Sequence, residues 1–191
     1  MLDKTLVFLK NSLNTYLTSG RKPTDPQEDQ VVFSEWKNTD AINFKLGAVS
    51  IMLINLEQEN ILRAEDPFSR TLADGTVQKG NPDIRLNLYL LFIAHYQQYE
   101  DSLRNLSTII QYFQGHRLLN HQNSPELSED VEQLVIELVP LSFSEQNEIW
   151  GALRTPYHPS VLFKVKTIVY HDEDFNVPVP PVEEKIVGLS G

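Results

Sequence analysis

The chain has no cysteine among its 191 residues. Disulfides, thiolate metal sites and a cysteine nucleophile are therefore excluded. Long apolar runs are also missing. The longest, Leu88 to Ala94, has the length of a buried strand and falls well short of the ~18 apolar residues of a membrane-spanning helix. No direct membrane insertion is expected. No secretory signal is read at the N-terminus, where Asp3 and a helical stripe stand in place of a continuous apolar run. Basic residues are scarce: 16 Lys and Arg face 26 Asp and Glu, for a formal net charge of −10. Binding to nucleic acid or to anionic membranes requires clustered Lys and Arg, so neither is expected. Aromatic residues do not alternate with basic ones, so no stacking platform for single strands is read.

Catalytic signatures are missing too. The sequence holds no HExxH, no His pair at i, i+4, no GxSxG elbow, no Walker loop and no GxGxxG. His116 and His121 are five apart across a loop, a weak basis for a metal site. Glu57 and Glu59 form the best carboxylate pair, and a solvated strand end explains them. No catalytic residue, metal or cofactor is expected.

What is present reads as a globular chain, 41% apolar and 22% charged. Its organising stretch is 81–117. Ile84, Leu86, Leu88, Leu90 and Phe92 alternate on one face, while Tyr89, Leu91 and Ile93 make the other face apolar as well. A strand apolar on both faces is central and covered on both sides. A helix follows with the stripe Tyr99, Leu103, Leu106, Ile110 and Phe113, ended by Gly115.

Residues 2–18 carry Leu2, Leu6, Leu9, Leu13 and Leu17, an amphipathic helix. A proline-rich, charged loop spans 20–30, and a short strand is read at Val31–Trp36. Residues 37–46 are indistinct. Gly47–Leu56 reads as a second strong strand. Residues 60–80 are polar and contain Asp74-Gly75, a hairpin signal, so they read as a protruding β-arm or long loop. A short strand is placed at Arg117–Asn120. Val131–Leu141 is a strand or a short helix. Ser142 or Ser144 caps the next helix, which ends near Leu153. Val161–Tyr170 is a third strong strand. Its Lys164 and Lys166 place it half-exposed or at a sheet edge. From 172 onward, Pro178, Pro180 and Pro181 favour an extended arm.

Several segments together resemble one family. They are Ile54–Glu59, Asn81-Pro82 with Leu86–Phe92, Leu106–Gln114, Leu141-Ser142 with Ile149–Leu153, and Tyr157–Val165. They resemble the N-terminal domain of the tube-terminator, or cap, proteins of extracellular contractile injection systems, the phage-tail-like particles of the virulence-cassette and antifeeding-prophage type. The resemblance implies an α/β (α+β) fold of the phage tail-terminator type, a mostly antiparallel sheet flanked by helices. It implies a tail-terminator-like domain over 1–171, and the prolines beyond it place an extended C-terminal arm over 172–191. It further implies a homohexamer that closes the distal end of the inner tube and sheath, with self, tube protein and sheath protein as partners. Assembly in the cytoplasm into a phage-tail-like particle is expected. No catalytic residues come with it, and the chain looks like a short form lacking an added C-terminal region.

Three surfaces are candidates for binding. The arm carries Asp66, Phe68, Arg70, Asp74 and Lys79. The stretch 124–148 holds seven acids and no Lys or Arg, with Glu126, Glu129 and Asp130 as its leading members. The tail offers Val177, Val179, Val182 and Ile186. Two other classes remain open. One is a soluble adaptor working through the acidic face. The other is a small-molecule-binding or hydrolytic domain using Glu57, Glu59 or His95.

Overall fold

The fold is built on the strand that is apolar on both faces. In a computed structural model, which describes residues 2–18, 29–36, 42–59, 69–71, 77–79, 85–168 and 177–179, helix α1 (Leu2–Thr18) comes first. Strands β1 (Val31–Phe33), β2 (Glu35–Trp36), β3 (Ile42–Asn43) and β4 (Ala48–Gln58) follow. Then come β5 (Ser69–Thr71), β6 (Val77–Lys79) and β7 (Leu86–His95). The chain continues with α2 (Tyr99–Gly115), β8 (Leu118–Asn120), β9 (Gln133–Val139), α3 (Phe143–Leu153), β10 (Ser160–Ile168) and β11 (Val177–Val179).

The main sheet has six strands in the order β1-β4-β7-β10-β9-β8. Only β1 and β4 run parallel; every other neighbouring pair is antiparallel. This is the mostly antiparallel sheet flanked by helices that the family resemblance implies. Strand β7 lies in the interior, with Leu88, Leu90, Leu91, Phe92 and Ile93 fully buried. That follows from its two apolar faces.

The two faces are covered unequally. On one, α1 and α2 pack Phe8, Leu9, Leu13, Leu106, Ile109 and Phe113 against Leu88, Leu90, Phe92, Phe163 and Val165. Phe92, Phe113 and Phe163 meet at ring centroids 4.8–5.7 Å apart. On the other face, α3 contributes Trp150, which clusters with Phe44, Leu91, Ile93 and Leu162. The rest of that face bears Tyr89, Lys164, Lys166 and Glu137. Lys166 Nζ donates to Glu137 at 2.7 Å, and Lys164 Nζ lies 5.5 Å from the Tyr89 ring centroid.

Three expectations change. Strand β10 is not at an edge: β7 and β9 flank it. Its lysines are tolerated because α3 leaves their half of the face open to water. In α2 the buried stripe is Ser102, Leu106, Ile109, Tyr112 and Phe113, whereas Tyr99 and Leu103 are 63% and 44% exposed. Two adjacent stripes share the same 4-3-4 spacing. The small Ser102, 3% exposed, lets the first turn sit against the core where Leu103 would be bulkier. The stretch 31–36 divides into β1 and β2, and β2 pairs with β3 in its own two-stranded sheet. The indistinct 37–46 segment thereby delivers Phe44, 5% exposed, to the second core cluster.

Local chemistry accounts for the ends of these elements. Ser142 is the N-cap of α3 in a capping box with Glu145. Val131–Leu141, open between strand and helix, is strand β9. Strand β8 falls where a short strand was placed. At the outer edge of β1, the Asn14 amide oxygen accepts from the N–H groups of Gln30 and Val31 at 2.9 and 2.8 Å. Its Nδ2 donates to the Val31 carbonyl at 2.9 Å.

Candidate functional site

The arm between β4 and β7 contains the hairpin expected there. Strands β5 and β6 pair antiparallel, with Arg70 opposite Gln78 and Ser69 opposite Lys79. Strand β11 adds on the other side of β6, with Val177 opposite Lys79 and Val179 opposite Val77. Arm and tail, read from sequence as two separate candidates, thus share one three-stranded sheet in the order β11-β6-β5. This brings Arg70, Lys79, Val177 and Val179 into a single unit. Pro178 sits in an outer strand, where its missing N–H is tolerated. Asp66, Phe68, Asp74, Val182 and Ile186 lie outside the described residues.

The acidic stretch does not form one surface. Glu126, Glu129 and Asp130 are exposed in the segment joining β8 to β9, and Lys4 of α1 reaches Asp130 at 2.8 Å. This hydrogen bond holds the Asp130 carboxyl below its ordinary range and raises the Lys4 ammonium. Glu137 is paired with Lys166. Glu145 is committed to the helix cap, where hydrogen bonds from the Ser142 backbone and hydroxyl depress its pKa. Glu148 accepts from Ser144 Oγ at 3.3 Å.

A cleft of about 370 Å³ opens between α3 and the half-covered face. Ile54, Leu141, Ile149 and Leu162 line its apolar part, and Glu57, Glu145 and Glu148 supply carboxylates. Tyr89 Oη donates to Glu57 at 2.8 Å, which raises the Tyr89 pKa above its ordinary value. The sequence offers Glu57 as a pocket candidate, but nothing local couples it to the residues of α3 that complete this cleft.

A feature not foreseen is an aromatic cluster at the opposite end of β7. His95 and His158 lie with ring centroids 4.7 Å apart, and His158 also meets Phe44 and Trp150 at 5.7 and 5.9 Å. His95 Nδ1 is 3.0 Å from the Phe44 carbonyl. The hydrogen bond requires the proton on that nitrogen. Burial, then the neighbouring His95, lowers the His158 pKa from its ordinary 6.5. Glu57 pairs with Asn87 and Ala48 pairs with His95, eight residues along β7 and about 27 Å apart at ~3.4 Å per residue. The two groups cannot serve one reacting centre.

Among the described residues no group of three or more His, Asp or Glu is placed to hold a metal ion. No helix among them is long and apolar enough to cross a membrane.

Comparison with known proteins adds to this picture. The family model described as the Pvc16 N-terminal domain matches residues 6–184. Among solved structures, the sheath/tube terminator of the PVC extracellular contractile injection system, in its extended state, superposes with a TM-score of 0.58 at 14% identity. That match covers 100% of this chain and 64% of the terminator chain. The tube-terminating cap of the anti-feeding prophage gives a TM-score of 0.50 at 14% identity, covering 75% of this chain and 48% of that one. The chain therefore spans less than two thirds of either structural relative. No curated protein sequence matches it significantly. At this identity the two structures establish the shared fold.

Proposed function

Because the chain belongs to the Pvc16 N-terminal domain family, we propose that it is a structural, non-enzymatic cap of a contractile injection system. In this reading it forms a ring of about six subunits that closes the end of the inner tube and the sheath. Its partners are further copies of itself, the tube protein and the sheath protein. It is assembled in the cytoplasm and becomes part of a phage-tail-like particle.

The observation that carries the reading is the superposition of the entire chain on a sheath/tube terminator. The internal organisation agrees with it. One face of the sheet is packed under two helices and gives a rigid body. The other face is half open, and a separate small sheet gathers the arm and the tail. A terminator needs this division, since it must offer a surface to what it closes and present no second copy of that surface. Arg70, Lys79, Val177 and Val179 of the small sheet are the proposed contacts to tube, sheath or neighbouring subunit. Asp66, Phe68, Asp74, Val182 and Ile186 extend that proposal along the same arm and tail. Glu126 and Glu129 are proposed as a secondary surface toward a basic rim. Asp130 is partly satisfied by Lys4 and contributes less.

Mass photometry and negative-stain imaging of the purified chain, alone and with its tube protein, test the reading. Rings of about six subunits seated at tube ends are expected. A chain that stays monomeric at high concentration and leaves tube ends bare overturns it.

A further inference from the structure

The cleft beside α3 combines an apolar floor with carboxylates on two facing walls. Glu57 comes from the sheet, and Glu145 and Glu148 come from the helix. Among the described residues no Lys or Arg lines it. Each carboxylate is oriented by a neutral donor of its own chain. Tyr89 Oη and Asn55 Nδ2 donate to Glu57 at 2.8 and 3.2 Å. The Ser142 N–H donates to Glu145 at 2.8 Å, and Ser144 Oγ donates to Glu148 at 3.3 Å. These bonds fix the carboxylates without neutralising them. The two lysines nearby do not neutralise them either: Lys166 is paired with Glu137, and Lys164 stands over the Tyr89 ring.

We propose that this cleft receives the arginine or lysine side chains of a basic segment on a protein partner. The inference stands on the cleft's own geometry and does not depend on the capping reading. An apolar floor beneath charged walls matches a side chain with an aliphatic stem and a cationic head. The guanidinium fork suits carboxylates approached from two sides. A purely apolar occupant would strip water from three carboxylates and return nothing to them. A volume near 370 Å³ lies at the small end of ligand pockets and suits one or two side chains better than an extended cofactor. Phe143 opens α3 and is 92% exposed, so it offers an aromatic surface for the same cationic segment.

The test is an amide chemical-shift titration of the full ¹⁵N-labelled chain with acetyl-Arg-Leu-Arg-amide. The matching citrulline peptide and acetyl-Glu-Leu-Glu-amide serve as controls. Saturable shifts at the amides of Tyr89, Ile149, Ala152 and Leu162 are expected with the arginine peptide alone, weakening as salt is added. Glu57→Gln and Glu148→Gln each reduce affinity by about threefold, the range of an exposed charge pair. Glu145 is left in place because it caps the helix. Ala152→Trp fills the cleft and abolishes the shifts. Equal binding of the citrulline peptide overturns the proposal. So do shifts that gather around Glu126 and Glu129 and survive Ala152→Trp. Failure here leaves ring formation at tube ends untouched, and failure of ring formation leaves this cleft's chemistry intact.

Discussion

Replacing Asn14 by alanine removes three hydrogen bonds at once. The side-chain amide accepts from the Gln30 and Val31 N–H groups and donates to the Val31 carbonyl, all at 2.8–2.9 Å. Gln30 and Val31 are 7% and 0% exposed, so water does not readily replace the lost partner. A net hydrogen bond is worth ~1 kcal/mol, and a buried group left unpaired costs ~1–3 kcal/mol. The expected loss is about 2–4 kcal/mol, or roughly 5–15 °C in melting temperature for a chain of this size. Asn14→Asp keeps the two acceptor bonds and forfeits the donor, so it falls between parent and alanine. Urea unfolding followed by circular dichroism supplies the free energies, with an unchanged m-value. Amide exchange at Val31 supplies the local readout and should speed up in Asn14→Ala. An alanine variant within about 0.5 kcal/mol of the parent, with Val31 exchange unaltered, would refute the reasoning that this amide secures the sheet edge.

Phe113→Ala empties the junction of three phenylalanines and should cost about 3–5 kcal/mol in the same urea assay; a cost under ~1.5 kcal/mol would contradict the packing described. Ser142→Ala removes one half of the α3 capping box and should cost about 1 kcal/mol, checked by thermal melting, with no measurable change counting against the cap. His158 has its folded pKa depressed below its ordinary 6.5, so the unfolded chain binds the proton more readily than the folded one. Its contribution to stability is complete above pH 6.5 and is lost as the pH falls below that value. His158→Phe should flatten that part of the stability–pH curve, and an unchanged slope would sink the assignment. Deleting residues 175–191 removes β11, which pairs with β6 in the small sheet; ring assembly should weaken while the core melts at its parent temperature, and a large drop in melting temperature of the monomer would show that the tail is part of the folding unit.

The parts of the fold legible in sequence were those fixed by local period. Strand β7, helix α1, strand β8 and the Ser142 capping box all follow from spacing within a few residues. What failed was whatever depended on coverage. Lys164 and Lys166 signal water on one side of β10, which the sequence reports correctly. Whether that water comes from an open face or from a missing neighbour strand is a property of where α3 lies. In α2, stripes through Leu103 and through Ser102 have the same period, and only the closeness of the sheet selects the smaller residue. Phe44 entered the core unannounced because its segment is too short to show any period. The candidate surfaces divide in the same way. The hairpin signal at Asp74-Gly75 marks the arm, but pairing of β11 with β6 joins positions roughly a hundred residues apart, and no local pattern encodes it.

The two edges of the main sheet deserve comparison, because an unpaired edge invites further strands. Strand β1 is short and its outward groups at Val31 are held by Asn14. At the far edge, Arg117 and Ile136 are joined by a backbone hydrogen bond of 2.8 Å. By the alternation of an antiparallel ladder, Leu118 and Asn120 turn their backbone groups outward. A second asparagine meets them: Asn123 Oδ1 accepts from the Asn120 N–H at 2.9 Å and its Nδ2 donates to the Leu118 carbonyl at 2.8 Å. Each edge therefore ends on a side-chain amide that supplies one acceptor and one donor, as a neighbouring strand would. Among the described residues, Val31 on one edge and Leu118 and Asn120 on the other thus have backbone groups already engaged. Strand addition at these two edges is therefore disfavoured. That is a suitable arrangement for a subunit whose proposed task is to stop a polymer, since the body that gives it rigidity does not itself propagate by strand addition.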